Sequence, residues 1–239
     1  MPPEEPPLYV ELVQPTPTAG PPYRMVTLPG VSDASNDDGP AYLSDRVNES
    51  FNALRRRVEE ETGWDYLAHL GTTQLPMAHT PYAGHSRMSW HVCGRAFGLD
   101  QTPYDESPRR VELAREDVGN VTYWRVFLRA TAQDGSMGEP LREPVWDLHA
   151  RDEGGRAMVE GGRLVDEVPE GYYVDFTTLA ADYGWERVPA LWRWRYFWPD
   201  IRWWRFRKTD GLNWWECMLE VFTPEEIEPV FGPVPGYER

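Results

Sequence analysis

Three histidines and a cysteine gather within a short stretch of this chain. His91 sits in Ser89-Trp90-His91-Val92-Cys93-Gly94-Arg95-Ala96-Phe97-Gly98, two residues before Cys93, and follows a proline-containing loop with His79 and His85. Imidazole and thiolate are the ligand types that suit zinc, and in an extended segment residues i and i+2 share a face. One reading is therefore a metal centre built from His91, Cys93 and His85, with His79 in reserve. The other is a hydrogen-bonded histidine in a shallow cleft, with no metal.

A second constellation runs from Trp185 to Trp215. It holds eight of the twelve tryptophans, interleaved with Arg187, Arg193, Arg195, Arg202, Arg205, Arg207 and the only lysine, Lys208. Indole faces stack on guanidinium planes and on sugar rings, and arginine forks grip carboxylates and phosphates. A ligand both saccharide-like and anionic fits that mixture. Alternatively the tryptophans are core and the arginines pair with acids elsewhere, since alternate residues of a strand face opposite ways and half of such a belt must be buried.

Ser89, His91, Gly94 and Ala96 resemble the S-x-H-x-x-G-x-A-x-D signature of the zinc D-alanyl-D-alanine carboxypeptidases and L-alanyl-D-glutamate endopeptidases. Gly98 stands where that signature has its metal-binding aspartate. A catalytic zinc needs three protein ligands and an open position. In the resembled family the third ligand is a late histidine, and the similar segment here is Trp203-Trp204-Arg205-Phe206-Arg207. Arg205 falls on the ligand histidine and Arg207 on a flanking acid. The acid that activates water falls among Pro189-Ala190-Leu191 or on Arg202. The histidines are His69, His79, His85, His91 and His149, so none lies late enough, and a guanidinium offers no lone pair to a metal.

The resemblance thus implies the Hedgehog/DD-peptidase fold with a vestigial motif, no catalytic residues and no cofactor, zinc returning only with a rebuilt site. It suggests Arg95, Trp203, Trp204 and Arg205 as ligand-binding residues. A fixed charge at Arg205 could hold a carboxylate without cleaving anything, or could be the inner half of an ion pair filling the cleft. The function implied is an inactive binding or structural module of a bacterial cell envelope, directed at peptidoglycan or another anionic glycan. The alternatives are a divergent metal-dependent peptidoglycan peptidase with a relocated site near His91, and a plain interaction domain. Extracellular or envelope localisation follows from the resemblance alone, because Met1-Pro2-Pro3-Glu4-Glu5 lacks the basic start and apolar core of an export signal. Cys93 and Cys217 permit one disulfide without requiring it; both fall in segments expected near the old site.

The rest of the chain must position these residues. Its 239 residues can bury a substantial core as one domain. A net charge of −15 argues against sequence-independent nucleic-acid binding and against docking on anionic membranes. No apolar run is long enough to span a bilayer. Residues 1–24 read as a proline-rich leader or linker, 25–222 as the domain, and 223–239 as a proline- and acid-rich tail. Ser32 to Pro40 reads as an acidic loop. A helix is expected after Ser44 as N-cap, with Val47, Phe51, Leu54 and Val58 as its apolar stripe and Gly63 ending it.

A short helix is expected within Trp64 to Leu70, and strands over Gly94 to Leu99, Thr122 to Ala130 and Trp203 to Arg207. Residues 136–171 read as a long excursion with one short helix. Asp175 should cap a helix from Phe176 to Tyr183, and Asn213 with Glu216 should cap one from Trp214 to Phe222. The expected fold is α+β: a single compact domain with a small antiparallel sheet flanked by helices.

Overall fold

Residues 7–10 and 21–236 are described by the structure, a computed structural model. In chain order the strands are β1 (Met25–Asp33), β2 (Gly39–Ser44), β3 (His69–Thr72), β4 (Ala96–Leu99), β5 (Val111–Val118) and β6 (Val121–Arg129). After these come β7 (Glu139–Pro140), β8 (Trp146–Asp147), β9 (Arg163–Leu164), β10 (Tyr172–Asp175), β11 (Glu186–Arg187) and β12 (Arg205–Arg207). The helices are α1 (Asn48–Thr62), α2 (Thr102–Asp105), α3 (Gly155–Glu160), α4 (Phe176–Asp182), α5 (Trp214–Val221) and α6 (Pro224–Phe231).

The chain is an α+β domain, but its sheets are not the single small antiparallel one expected. A six-stranded sheet has the order β11-β12-β4-β3-β1-β2, a four-stranded sheet the order β5-β6-β10-β7, and β8 pairs with β9. The larger sheet is mixed, because β1 and β3 run parallel. The residues read as an acidic loop contribute the end of β1, a short 3-10 turn at Ala34–Asn36 and the start of β2. That turn is closed by the Asp33 carboxylate, which accepts from the Ser35 backbone N–H.

The apolar stripe of α1 buries as its spacing requires: Val47, Phe51, Leu54 and Val58 are all fully buried. Each such side chain contributes roughly 1.5–3 kcal/mol by leaving water. Phe51 meets Phe97 of β4 edge to face at 5.2 Å, Phe97 meets Trp185 at 4.8 Å, and Phe176 meets Phe206 of β12 at 5.0 Å. The core therefore clamps β4 and β12 from one side and leaves their other face for the site. Gly63 ends α1 in the left-handed conformation, as expected, but Ser44 does not cap it. Ser44 closes β2, and its N–H donates to the Gly94 carbonyl at 2.9 Å.

Both capping expectations further on hold. The Asp175 side chain accepts from the Thr178 N–H, and Asn213 and Glu216 form a reciprocal capping box on α5. β6 alternates as expected, with Trp124, Val126 and Leu128 buried. The acidic, proline-rich segment after Thr223 is a helix instead of a tail. Pro224 occupies the first turn, where its missing N–H costs nothing. Thr223 and Glu226 cap it, and Ile227 is fully buried beside Cys217 and Met218. Most of the expected leader, residues 1–6 and 11–20, lies outside the described residues. Within it Tyr9 stacks on Tyr183 at 6.1 Å and accepts from Lys208 Nζ at 2.9 Å.

Candidate functional site

Between β3 and β4 the chain crosses residues 73–95 with no helix or strand. Irregular stretches of that length inside a compact domain are usually functional. Here the stretch is pinned at several points. The Asp33 carboxylate accepts from the Thr73 N–H at 2.7 Å and from the Thr73 hydroxyl, and the Thr73 carbonyl accepts from His91 Nδ1 at 2.7 Å. Trp214 Nε1 donates to the Ser89 carbonyl at 3.0 Å, and Cys93 is disulfide-bonded to Cys217 of α5.

The residues of the Ser89–Gly98 motif have structural parts to play here. Ser89 Oγ accepts from the His91 N–H at 3.3 Å. Gly94 has φ +69°, and a Cβ there would lie 2.5 Å from Met25 Sδ and 2.6 Å from the Ser44 nitrogen, so only glycine fits. Ala96, buried, opens β4 opposite Arg207, and Gly98 lies directly opposite Arg205. A Cβ at Gly98 would meet nothing closer than 3.5 Å. Glycine is not sterically demanded there.

The loop, β4 and β12 enclose a cavity of about 620 Å³. His91, His79, His85, Arg202, Arg205 and Arg207 border it, with Leu75, Met88, Trp90, Val188 and Leu191 supplying apolar wall. Depressions of about 820 and 840 Å³ elsewhere do not touch the motif.

His91 is buried, and that burial, with the Arg205 charge adding to it, pushes its pKa down to about 3. It is a neutral imidazole at pH 7, with Nδ1 as the donor. Asp200 is fully buried and holds the loop shut: its Oδ1 accepts from His85 Nε2 at 2.6 Å and its Oδ2 from Arg193 Nε at 3.0 Å. Burial would raise its pKa, but Arg193 and His85 outweigh that and hold it below the usual carboxylate range.

Arg202 and Arg205 are left over. Among the described residues neither guanidinium makes a hydrogen bond or an ion pair, and Arg202 Nε is buried without a partner. Asp200 acts on both, yet its oxygens are already engaged. Burial, with the neighbouring Arg205 charge adding to it, pushes the Arg202 pKa down to about 10; burial also lowers that of Arg205. Arg207 Nε is also buried without a hydrogen bond, but Glu186 lies 3.7 Å from it as an ion pair and the Trp90 ring stacks beneath the guanidinium at 5.9 Å.

Of the four residues offered as ligand-binding, only Arg205 reaches this cavity. Trp203 and Trp204 are core, as are Trp185, Trp194 and Trp214 of the same belt; Trp192 projects into solvent, 81% exposed. Arg95 is buried in its own ion-pair cluster, donating to Glu220 Oε2 at 2.7 Å, Asp210 Oδ2 at 2.8 Å and the Lys208 carbonyl at 3.2 Å. The set suggested for a rebuilt metal centre is not assembled. Cys93 has no free thiol because Cys217 takes it, and His85 Nε2 is committed to Asp200. Among the described residues no group of three or more His, Cys, Asp or Glu side chains is placed to hold a metal ion. Arg202 was visible in sequence as one arginine of the aromatic belt and as a position where the resembled family could have its acid. Its lack of a partner is a fact of three dimensions.

No protein-family model matches the chain, and comparison with curated proteins and with solved structures gives no match. No helix among the described residues is long and apolar enough to cross a membrane.

Proposed function

We propose that this chain is a non-catalytic relative of the zinc DD-peptidases that keeps their Hedgehog/DD-peptidase-like cleft and uses it to bind anionic peptidoglycan fragments in a bacterial cell envelope. One observation carries the reading. Two of the positions at which the sequence departs from the peptidase pattern, Gly98 and Arg205, come from distant segments yet face each other across β4 and β12, beside the cavity that His91 borders. A degenerate metal site would place its lost ligands in that way. The charge left behind is that of Arg205, in place of a ligand histidine, because His91 is neutral and Cys93 is held in a disulfide. That disulfide also suits an oxidising compartment outside the cytosol.

The test is co-sedimentation with purified peptidoglycan sacculi, alongside incubation with soluble stem peptides in the presence of zinc. The expected result is retention on sacculi with no release of D-alanine. Metal-dependent release of D-alanine, or cleavage of an alanyl-glutamate bond, would overturn the non-catalytic reading. Absence of retention would overturn the ligand.

A further inference from the structure

We infer that Arg202 and Arg205 form a built oxyanion subsite in the wall of the cavity, taking a carboxylate or phosphate carried on an apolar or aromatic body. The inference rests on the reading of the cavity as a ligand cleft, but not on peptidoglycan as the ligand.

Three observations converge on it. First, a partly buried guanidinium without an anionic partner is costly, and two side by side repel each other as well. The chain has 39 acidic residues against 24 lysines and arginines, and two arginines close by do find a carboxylate: Arg193 has Asp200, Arg207 has Glu186. The position directly across from Arg205 is Gly98, where an added Cβ would make only ordinary contacts. Neither guanidinium has a carboxylate in direct contact, on a protein rich in the means to provide one.

Second, Arg202 sits at φ +62°, a left-handed conformation that non-glycine residues adopt at a cost. Such strain persists where surrounding structure imposes it, and it clusters at ligand sites. Third, the cavity sets the two guanidiniums beside Leu75, Met88, Trp90, Val188 and Leu191. Few polar groups on an apolar wall is the usual composition of a small-molecule site. His91 adds no charge, so the oxyanion would be held by guanidinium forks, whose geometry matches two oxygens at once.

Binding of sodium benzoate, phenyl phosphate and neutral benzamide, measured by calorimetry and by melting temperature at constant ionic strength, tests this. Benzoate and phenyl phosphate should bind and raise the melting temperature, and benzamide should do neither. Whichever of the two anions binds more tightly identifies carboxylate or phosphate as the group recognised. Arg205→Gln and Arg202→Gly should each weaken binding about tenfold or more, the loss expected for charge-assisted hydrogen bonds. Arg202→Gly should also melt higher than the parent when both are empty, because it relieves strain and repulsion together. A purely structural arginine would give the opposite shift. Equal binding of benzamide, or variants that bind the anions as tightly as the parent, would overturn the subsite. Arginine-dependent anion binding without retention on sacculi would leave the subsite standing and remove peptidoglycan as its ligand.

Discussion

Gly98→Asp should stabilise the protein, although it puts a charged residue into a strand. Residue 98 pairs with Arg205 in antiparallel register, so a new side chain shares the Arg205 face. The backbone is not left-handed there, and the nearest atoms to an added Cβ are Thr72 N and Trp204 Cδ1, both at 3.5 Å, which is ordinary contact. A carboxylate about 5 Å from the guanidinium gains about 3 kcal/mol at the effective dielectric of a partly buried site. Desolvation of the new carboxylate and the poor fit of aspartate to a strand offset about 2 kcal/mol of that.

The net gain is about 1 kcal/mol, a rise of roughly 2–4 °C in melting temperature for a domain of this size. Calorimetry on a four-member cycle with Arg205→Gln isolates the pairing from everything else the substitution does. In the Arg205→Gln background the gain should vanish, leaving only the cost. Anion binding should weaken as well, since the new carboxylate occupies the same guanidinium. A destabilisation of equal size in both backgrounds would refute the claim that Arg205 lacks a partner and that the two positions share a face.

Further expectations follow from the rest of the scaffold. Reducing the Cys93–Cys217 disulfide, whose sequence separation is 124, should cost about 2–4 kcal/mol, read as a lower melting temperature with a phosphine reductant and no shift in a Cys93→Ala/Cys217→Ala variant. Arg95→Ala strands Glu220 and leaves Asp210 with Lys208 alone, and should cost about 3–5 kcal/mol, measured as a shift in urea midpoint. Glu112 is buried, and this, against the opposing charge of Arg109, lifts its pKa to about 7. A raised carboxyl favours the folded state below pH 4.5 and loses that advantage as pH climbs through 7, by about 3 kcal/mol in all; Glu112→Gln should flatten that limb. His91 works in the other direction. Its lowered pKa leaves stability intact above pH 6.5 and erodes it by up to about 1.4 kcal/mol per unit as pH falls towards 3, and His91→Gln should remove that part of the acid limb.

Local signals in the chain spoke for local structure. The stripe on α1, the left-handed Gly63, the Asp175 cap, the Asn213–Glu216 box and the alternation in β6 are all settled by neighbours within a few residues, so sequence reveals them. The elements that were missed depend on partners far away. β5 carries Val-Glu-Leu-Ala-Arg-Glu-Asp-Val, too polar at its end to announce a strand, and becomes one through its full-length pairing with β6. α6 looked like a tail because prolines and glutamates suggest disorder, yet proline belongs in a first turn and Ile227 has a core to enter. The site shows the same division. The motif residues could be seen from Ser89 to Gly98, but the segment read as extended around His91 and Cys93 is a turn at 90–94, and the fate of Arg95 was decided by acids 115 and 125 residues away. Trp203 and Trp204 lie in the turn before β12 and enter the core, and the pleat of β12 then buries Phe206 while turning Arg205 and Arg207 towards the cavity.

Lys208 is the only lysine in the chain, and it is enclosed: its side chain is 6% exposed, with Asp210 Oδ1 at 3.1 Å and the Tyr9 hydroxyl at 2.9 Å from Nζ. Burial works to lower its pKa, but the Tyr9 hydroxyl and the Asp210 carboxylate outweigh this and hold it above the ordinary lysine value. The native fold therefore presents no side-chain amine to an acylating reagent, because the one it has is both covered and protonated. Activated esters and aldehyde fixatives should pass over the folded domain, and tryptic cleavage of its surface must occur at arginine. Acylation of Lys208 first requires Nζ to leave the Tyr9 hydroxyl, the Asp210 carboxylate and the Tyr183 carbonyl that hold it. The rate at which that amine is labelled in the native protein thus reads out how often this cluster opens.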